Sequence, residues 1–493
     1  MKTKYLLGLF LLLIIQCSYS QADDSILYNY RLKISEDNIR VVEVEAEMTI
    51  QEPYLEMNRW GIPPEIEKGW AKFVDVKSIL DDTGKPINYT WNNVLQRWDL
   101  KTSKNSKIKI KYHVRLEHDN YNWDAAGGID GRPTVWNEDT LFWVTKALFI
   151  YCYGDDSPKK ARISFDVPKN WKISTAWTKV ADKEFVAENI DVLDNNLLVI
   201  GNQVEKIIKV DNMSIFLVTP KSFAYQMDLL NTTLKEILPI YQDVFSELPN
   251  TNYLICVSEN DIEDGEAYKN SFHQMFKNKN LKYRKIVWAN TFAHEMFHYW
   301  TGLIYNKDFA SNYWFSEGFT DYYSSLALIR SNIVSEQDYL KKLAFQFSRF
   351  HSSQRLMRNR VSLVKAGEEK INNWHLIYGG GATMAFILDV EIRSRTNGVK
   401  TLDDFMKKLY FDFGKNNKPF DINDQIHVLN YLTNSDFNPI FKKYIHGTDS
   451  ILEMIFSTCE KAGIIVAQYQ SEFYLTPKED LEKKNIYNAI IGN

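Results

Sequence analysis

Thr291-Phe292-Ala293-His294-Glu295-Met296-Phe297-His298-Tyr299-Trp300 contains the pattern His-Glu-x-x-His. On an α-helix, residues i and i+4 share a face about 6 Å apart along the axis. Two imidazoles so placed can both reach one Zn²⁺ ion. Glu295 is displaced around the helix, where it can sit over the open coordination position as a base. The chain holds 9 His and 63 Asp plus Glu in 493 residues, so chance supplies only about 0.02 copies of the pattern. The apolar neighbours Phe292, Ala293, Met296 and Phe297 argue against a fully exposed helix.

A catalytic zinc ion needs three protein ligands and one open site for water. Glu317 follows His298 by 19 positions, inside Tyr313-Trp314-Phe315-Ser316-Glu317-Gly318-Phe319-Thr320-Asp321-Tyr322-Tyr323. Two helices joined by a loop could bring Glu317 onto the same ion. Asp321, one turn later, could accept the second N–H of a ligand histidine, fixing its tautomer and raising its basicity. As a plain alternative, Asp321 is a solvated helix charge.

With Trp300 and Gly302, the spacing His294-Glu295-x-x-His298 to Glu317 resembles the gluzincin metallopeptidases of the aminopeptidase-N branch. The stretch Trp314 to Tyr323 is more similar to the glycyl aminopeptidase family. So are Tyr378-Gly379-Gly380-Gly381-Ala382, Leu388-Asp389-Val390-Glu391-Ile392-Arg393-Ser394-Arg395-Thr396 and Leu402-Asp403-Asp404-Phe405-Met406. The resemblance spans about 260 to 455. It implies an α+β protein, with an N-terminal all-β domain ahead of a thermolysin-like, mainly helical zinc peptidase domain. It also implies that Tyr378 stabilises the oxyanion of the tetrahedral intermediate, which a phenol can do by donating a hydrogen bond. His375 is a weaker candidate for that role. Gly379-Gly380-Gly381 reads as a tight turn entering a helix.

Three departures from the family stand out. Its members usually carry a PDZ domain after the catalytic part, and this chain ends too soon for one. The glutamate that helps hold the substrate's amino terminus falls on Ala267, with Glu266 one place early in Asp264-Gly265-Glu266-Ala267-Tyr268. A one-residue slip on a strand reverses the face. A glycine replaces the usual lysine between Tyr378 and Gly381.

The rest of the chain sets the frame. It is 45% hydrophobic and 25% charged, with a net charge of −4, which fits a globular protein and excludes a nucleic-acid binder. Residues 1–20 read as a signal peptide: Lys2 and Lys4, an apolar run from Tyr5 to Ile15, and Ser18-Tyr19-Ser20 as the cleavage site. That predicts an exported protein, periplasmic or secreted, with Cys17 as an alternative lipid anchor. No later stretch is apolar for long enough to cross a bilayer, so no transmembrane helix is expected. Cys152, Cys256 and Cys459 leave room for one disulfide at most.

Alternating Val42, Val44, Ala46, Met48 and Ile50, and Ile108, Ile110, Tyr112, Val114 and Leu116, predict half-buried strands. A β-domain is therefore expected over 21–219, a catalytic domain over 220–475 and a charged tail over 476–493. Pro239 interrupts the helical pattern that begins at Phe223. The resulting expectation is a zinc metallopeptidase acting on peptides, with His294, His298 and Glu317 as ligands and Glu295 and Tyr378 as catalytic groups. An aminopeptidase, with Glu266 and its acidic neighbours receiving the substrate ammonium, stands ahead of an endopeptidase. A third reading is an inactive peptidase-like envelope binding protein.

Overall fold

The computed structural model describes residues 26–124, 127–153, 160–249, 251–277, 281–283, 285–304, 308–356, 360–479 and 485–492. The signal-peptide reading on 1–20, with Cys17, lies outside these residues.

The alternating stretches pair as their patterns require. Asn38–Ile50 runs antiparallel to Ser106–Arg115, placing Val42 opposite Val114, Val44 opposite Tyr112, Ala46 opposite Ile110 and Met48 opposite Ile108. That face is buried. On the outer face Glu45 meets Lys111 at 2.7 Å and Glu47 meets Lys109 at 2.8 Å, the cross-strand charge pairing that keeps a solvated sheet face in register. These two strands lie inside a seven-stranded sheet. It packs with a four-stranded sheet of Lys172–Thr175, Leu197–Gly201, Thr140–Val144 and Thr134–Trp136 around the first hydrophobic core.

The second core is organised by a five-stranded sheet, in the order Val204–Val210, Met213–Thr219, Asn252–Glu259, Ser271–Phe276, Asp264–Tyr268. Its middle strands are parallel and buried on both faces. Ile215, Leu217, Ile255, Val257 and Phe272 face the helices, whereas Val218, Leu254, Cys256 and Met275 face the N-terminal half. This corrects the expected boundary at 219/220. Strands 204–219 belong to the catalytic sheet, so the structural break falls just before Val204. The apolar run of Met213–Thr219 is what a doubly covered strand shows, whereas Val204–Val210 is a half-exposed edge strand.

Two further expectations are corrected. Met227–Phe245 is one helix with Pro239 inside it, held by buried Leu234, Ile237, Leu238 and Tyr241 on both sides of the proline. The C-terminal stretch is not a loose charged tail: the helix Asn485–Ile491 buries Tyr487, Ile490 and Ile491, and the Ile490 carbonyl accepts from Arg330 Nε at 2.9 Å. Cys152, Cys256 and Cys459 are buried, and no disulfide joins them among the described residues. Among the described residues, no helix is long and apolar enough to cross a membrane.

Candidate active site

The pattern around His294 forms the helix Lys285–Leu303, and Glu317 sits on the next one, Phe309–Arg330. Trp288, Phe292, Met296, Phe297 and Trp300 bury the first helix, and Tyr241 Oη donates to the Ala293 carbonyl at 2.8 Å. His294 and Glu295 therefore enter the site from a segment that cannot roll.

His294 Nε2 and His298 Nε2 lie 3.0 Å apart, and each is 3.4 Å from Glu317 Oε2. A regular tetrahedron with bonds of about 2.0–2.1 Å has edges of about 3.3–3.4 Å. The three atoms thus form one face of such a tetrahedron, and His294, His298 and Glu317 fit a metal ion. Two nitrogens and one carboxylate oxygen suit zinc.

A hydrogen-bond chain orients His298. Thr320 Oγ1 donates to the Ser316 carbonyl at 2.5 Å, so it can only accept from Thr301 Oγ1 at 3.1 Å. Thr301 Oγ1 in turn accepts from His298 Nδ1 at 3.2 Å. The proton is held on Nδ1, which leaves the Nε2 lone pair facing the ligand triangle. Asp321 lies beside His294 as expected, but its Oδ1 is 3.9 Å from Nδ1, beyond hydrogen-bond range. Asp321 instead accepts from Gln346 Nε2 and faces Lys342 Nζ at 3.3 Å. Burial opposes its charge, yet Lys342, His294 and Arg349 hold its carboxyl below the usual range.

Glu317 shows the same balance. Burial opposes its ionisation, but Lys370, whose Nζ lies 2.7 Å from Oε1, and the two histidines keep it well below the ordinary value. Glu295 moves the opposite way. Burial, then the charges of Glu317, Asp130, Asp264 and Glu266, push it well above the carboxylate range, as a proton-accepting catalytic group requires. Its side chain lies against Gly265, where an added Cβ would come within 3.1 Å of Cγ and 3.3 Å of Oε1.

Tyr378 lies over the ligands. Its ring stacks on Trp374 at 4.4 Å and on His294 at 6.0 Å. Burial and Glu317 raise its pKa well above that of a free phenol, so it stays a donor at neutral pH. His375 is exposed and accepts from Arg349 Nε at 3.1 Å. The expected tight turn after Tyr378 is absent. Leu376–Gly380 is a π-helical turn that runs directly into the helix Gly381–Arg395. The glycines there serve close packing: a Cβ on Gly379 would lie 2.5 Å from Arg349 Cβ, and one on Gly381 only 1.9 Å from the Trp314 carbonyl oxygen.

Glu266 reaches the site despite its slipped position. Its Oε2 accepts from Tyr268 Oη at 2.9 Å, and its charge acts on Glu295, Asp130 and Lys370. Ala267 takes the other face of the edge strand and packs on the catalytic core. Asp261, part of the same acidic run, is exposed.

Asp130 is a group that sequence reasoning missed. It comes from the N-terminal half, is only 5% exposed, and is pushed well above the carboxylate range by burial and then by Glu266 and Asp264. His273 fastens it in place, with Nδ1 2.6 Å from the Asp130 carbonyl and Nε2 2.9 Å from Ser258 Oγ. Burial lowers His273 to about 4, so the ring is neutral, donating to the carbonyl and accepting from the serine. The only sequence signal was the turn-forming run Gly127-Gly128-Ile129-Asp130-Gly131.

The family comparison agrees with these two halves. Residues 65–202 match the Peptidase M61 N-terminal domain, and residues 287–378 match the M61 glycyl aminopeptidase domain. The first match ends where the catalytic sheet begins. No curated protein matches the chain. Among solved structures, an aminopeptidase N family protein from Idiomarina loihiensis superposes with a TM-score of 0.73 at 19% identity, over 90% of this chain and 79% of that one. Native yeast LTA4 hydrolase gives 0.52 at 14% identity, over 86% and 67%. An M1 zinc metallopeptidase from Deinococcus radiodurans, bound to Tyr-Ser-Ala, gives 0.52 at 12%, over 83% and 91%. At these identities the likeness is one of fold: a β-rich N-terminal domain before a helical C-terminal domain. Two stretches of the chain thus match M61 domains, the N-terminal domain first and the glycyl aminopeptidase domain second, and the protein is a metallopeptidase.

Proposed function

We propose that the protein is a zinc-dependent aminopeptidase in which His294, His298 and Glu317 hold the ion. A bound zinc ion would supply the Lewis acid that polarises the scissile carbonyl and acidifies the attacking water. Glu295 takes the proton of that water on its carboxylate and returns it to the leaving nitrogen. Tyr378 donates a hydrogen bond to the substrate carbonyl oxygen as negative charge develops there.

The observation that carries the exopeptidase reading is the acidic pocket of Asp130, Asp264 and Glu266 next to Glu295. Burial and the neighbouring charges of Glu266 and Asp264 raise the pKa of Asp130, and burial with the Glu266 charge raises that of Asp264. A substrate ammonium placed among them relieves that repulsion.

Matched peptides with a free or an acetylated amino end test the reading. Only the free-amine peptide is expected to be cleaved, and Asp130→Asn or Glu266→Gln should raise KM for it and narrow the gap. Acetylation leaves buried carboxylates unpaired, at several kcal/mol. Equal cleavage of both peptides would replace this reading with an endopeptidase. An absence of any cleavage by the zinc-loaded protein would favour a binding protein.

The leader reading of residues 1–20 supports export. Amino-terminal sequencing of protein recovered outside the cytoplasm should begin at Gln21, whereas a blocked, lipid-bearing Cys17 would favour anchoring.

A further inference from the structure

We propose that Lys370 is a positioning residue that keeps Glu317 a one-oxygen ligand, so that the ion with its water would have four donors and not five. The inference rests on the reading of His294, His298 and Glu317 as the metal ligands.

The two oxygens of Glu317 have different partners. Oε2 faces both imidazoles at 3.4 Å. Oε1 points to Lys370 Nζ at 2.7 Å. A carboxylate can hold a metal through one oxygen or through both. Two-oxygen binding by Glu317 would add a fifth donor to the two imidazoles, one carboxylate oxygen and water that a four-coordinate hydrolytic site holds. An ammonium on Oε1 occupies its lone pairs and draws its charge away from the ion.

The ammonium is held where this requires it. Its Nζ lies 4.6 Å from the Tyr313 ring centroid and 5.9 Å from those of Trp374 and Tyr378. Such contacts favour a cation. Tyr313 stands one turn before Glu317 on the same helix. The segment carrying Lys370 is clamped to that helix as well. A Cβ on Gly367 would lie 1.9 Å from the Ala310 carbonyl oxygen, and within the segment Asn373 Nδ2 donates to the Ala366 carbonyl at 3.0 Å. Both partners of the pair therefore ride on one rigid unit. Glu317 is buried, and Lys370 is half-buried beside it. A surface ion pair that merely stabilised the fold would not need this cage.

The test uses the full mature chain loaded with cobalt(II), whose visible absorption is intense when four-coordinate and weak when five-coordinate. Wild type should show the intense spectrum. Lys370→Met, which keeps length and removes charge, should lose about half of that intensity. Its kcat should fall about 10–100-fold, with KM within about threefold. Lys370→Gln is measured beside it, and denaturant midpoints identify which variants are folded. An unchanged spectrum in a folded, cobalt-bound variant overturns the inference, whatever happens to its activity, and leaves the ligand assignment standing. A wild-type chain that takes up no cobalt overturns the ligand assignment itself, and the inference with it.

Discussion

Placing one methyl group between two helices should separate catalysis from simple helix propensity. Glu317 is carried by Phe309–Arg330, and Tyr378 immediately precedes Gly381–Arg395. These helices touch backbone to backbone at Gly318 and Gly381. A Cβ on Gly318 would lie 2.2 Å from Gly381 Cα and 2.6 Å from Ala382 N, all backbone atoms that cannot swing aside. Ordinary contact begins at 3.4 Å, so Gly318→Ala forces the helices apart by roughly 1 Å, a displacement that costs on the order of 10²-fold in rate when it misplaces catalytic groups. In an unpacked helix, Gly→Ala stabilises by up to about 1 kcal/mol. Here overpacking of about 1–3 kcal/mol, or more against rigid backbone, outweighs that gain, so the variant should be less stable. Gly302, with nothing within 4 Å of its added Cβ, is the control, and Gly302→Ala should be neutral or slightly stabilising. Denaturant midpoints and kcat on an aminoacyl-naphthylamide measure both effects. A Gly318→Ala variant with wild-type kcat and equal or greater stability would refute the close-packing argument.

Glu295→Gln keeps size and hydrogen bonding but cannot accept a proton, so metal content should be unchanged and kcat should drop at least ~10²-fold; wild-type turnover would make Glu295 a structural residue. Asp264 is pushed up to about 6 by burial, which a backbone bond from Gly265 opposes and the Glu266 charge reinforces. It is therefore ionised above that pH and neutral below it. KM for free-amine substrates should rise as pH falls through about 6, and Asp264→Asn should flatten that limb; a limb that survives intact in the variant would assign it elsewhere. Thr301→Ala breaks the chain that holds the His298 proton on Nδ1, and metal affinity by competitive chelation should weaken about 10–100-fold. Unchanged affinity would show that the chain does not set the tautomer.

The parts legible in the sequence were local. His294, Glu295 and His298 share one helix, and the 3.6-residue period places them without knowledge of anything else. Val42 to Ile50 and Ile108 to Leu116 alternate because one sheet face is wet, so their burial could be read directly. Glu317 required only a second helix packed on the first. What stayed hidden depends on distant partners. Asp130 and His273 meet across 143 positions, and neither lies in a periodic pattern that marks it. Lys370 reaches Glu317 from an irregular segment. Gly379 and Gly381 read as turn residues because glycine's other use, close approach of backbones, shows only when the second helix is present. The strand Met213–Thr219 looked like the end of the β-domain because a run buried on both faces does not announce which sheet it joins.

The central claim is that one ion is held by His294, His298 and Glu317 and that hydrolysis depends on it. Elemental analysis of the purified wild-type chain and of His298→Ala tests it most directly. About one zinc per wild-type chain is expected and essentially none in the variant, because two protein ligands no longer hold the ion tightly. Full zinc occupancy in His298→Ala would contradict it.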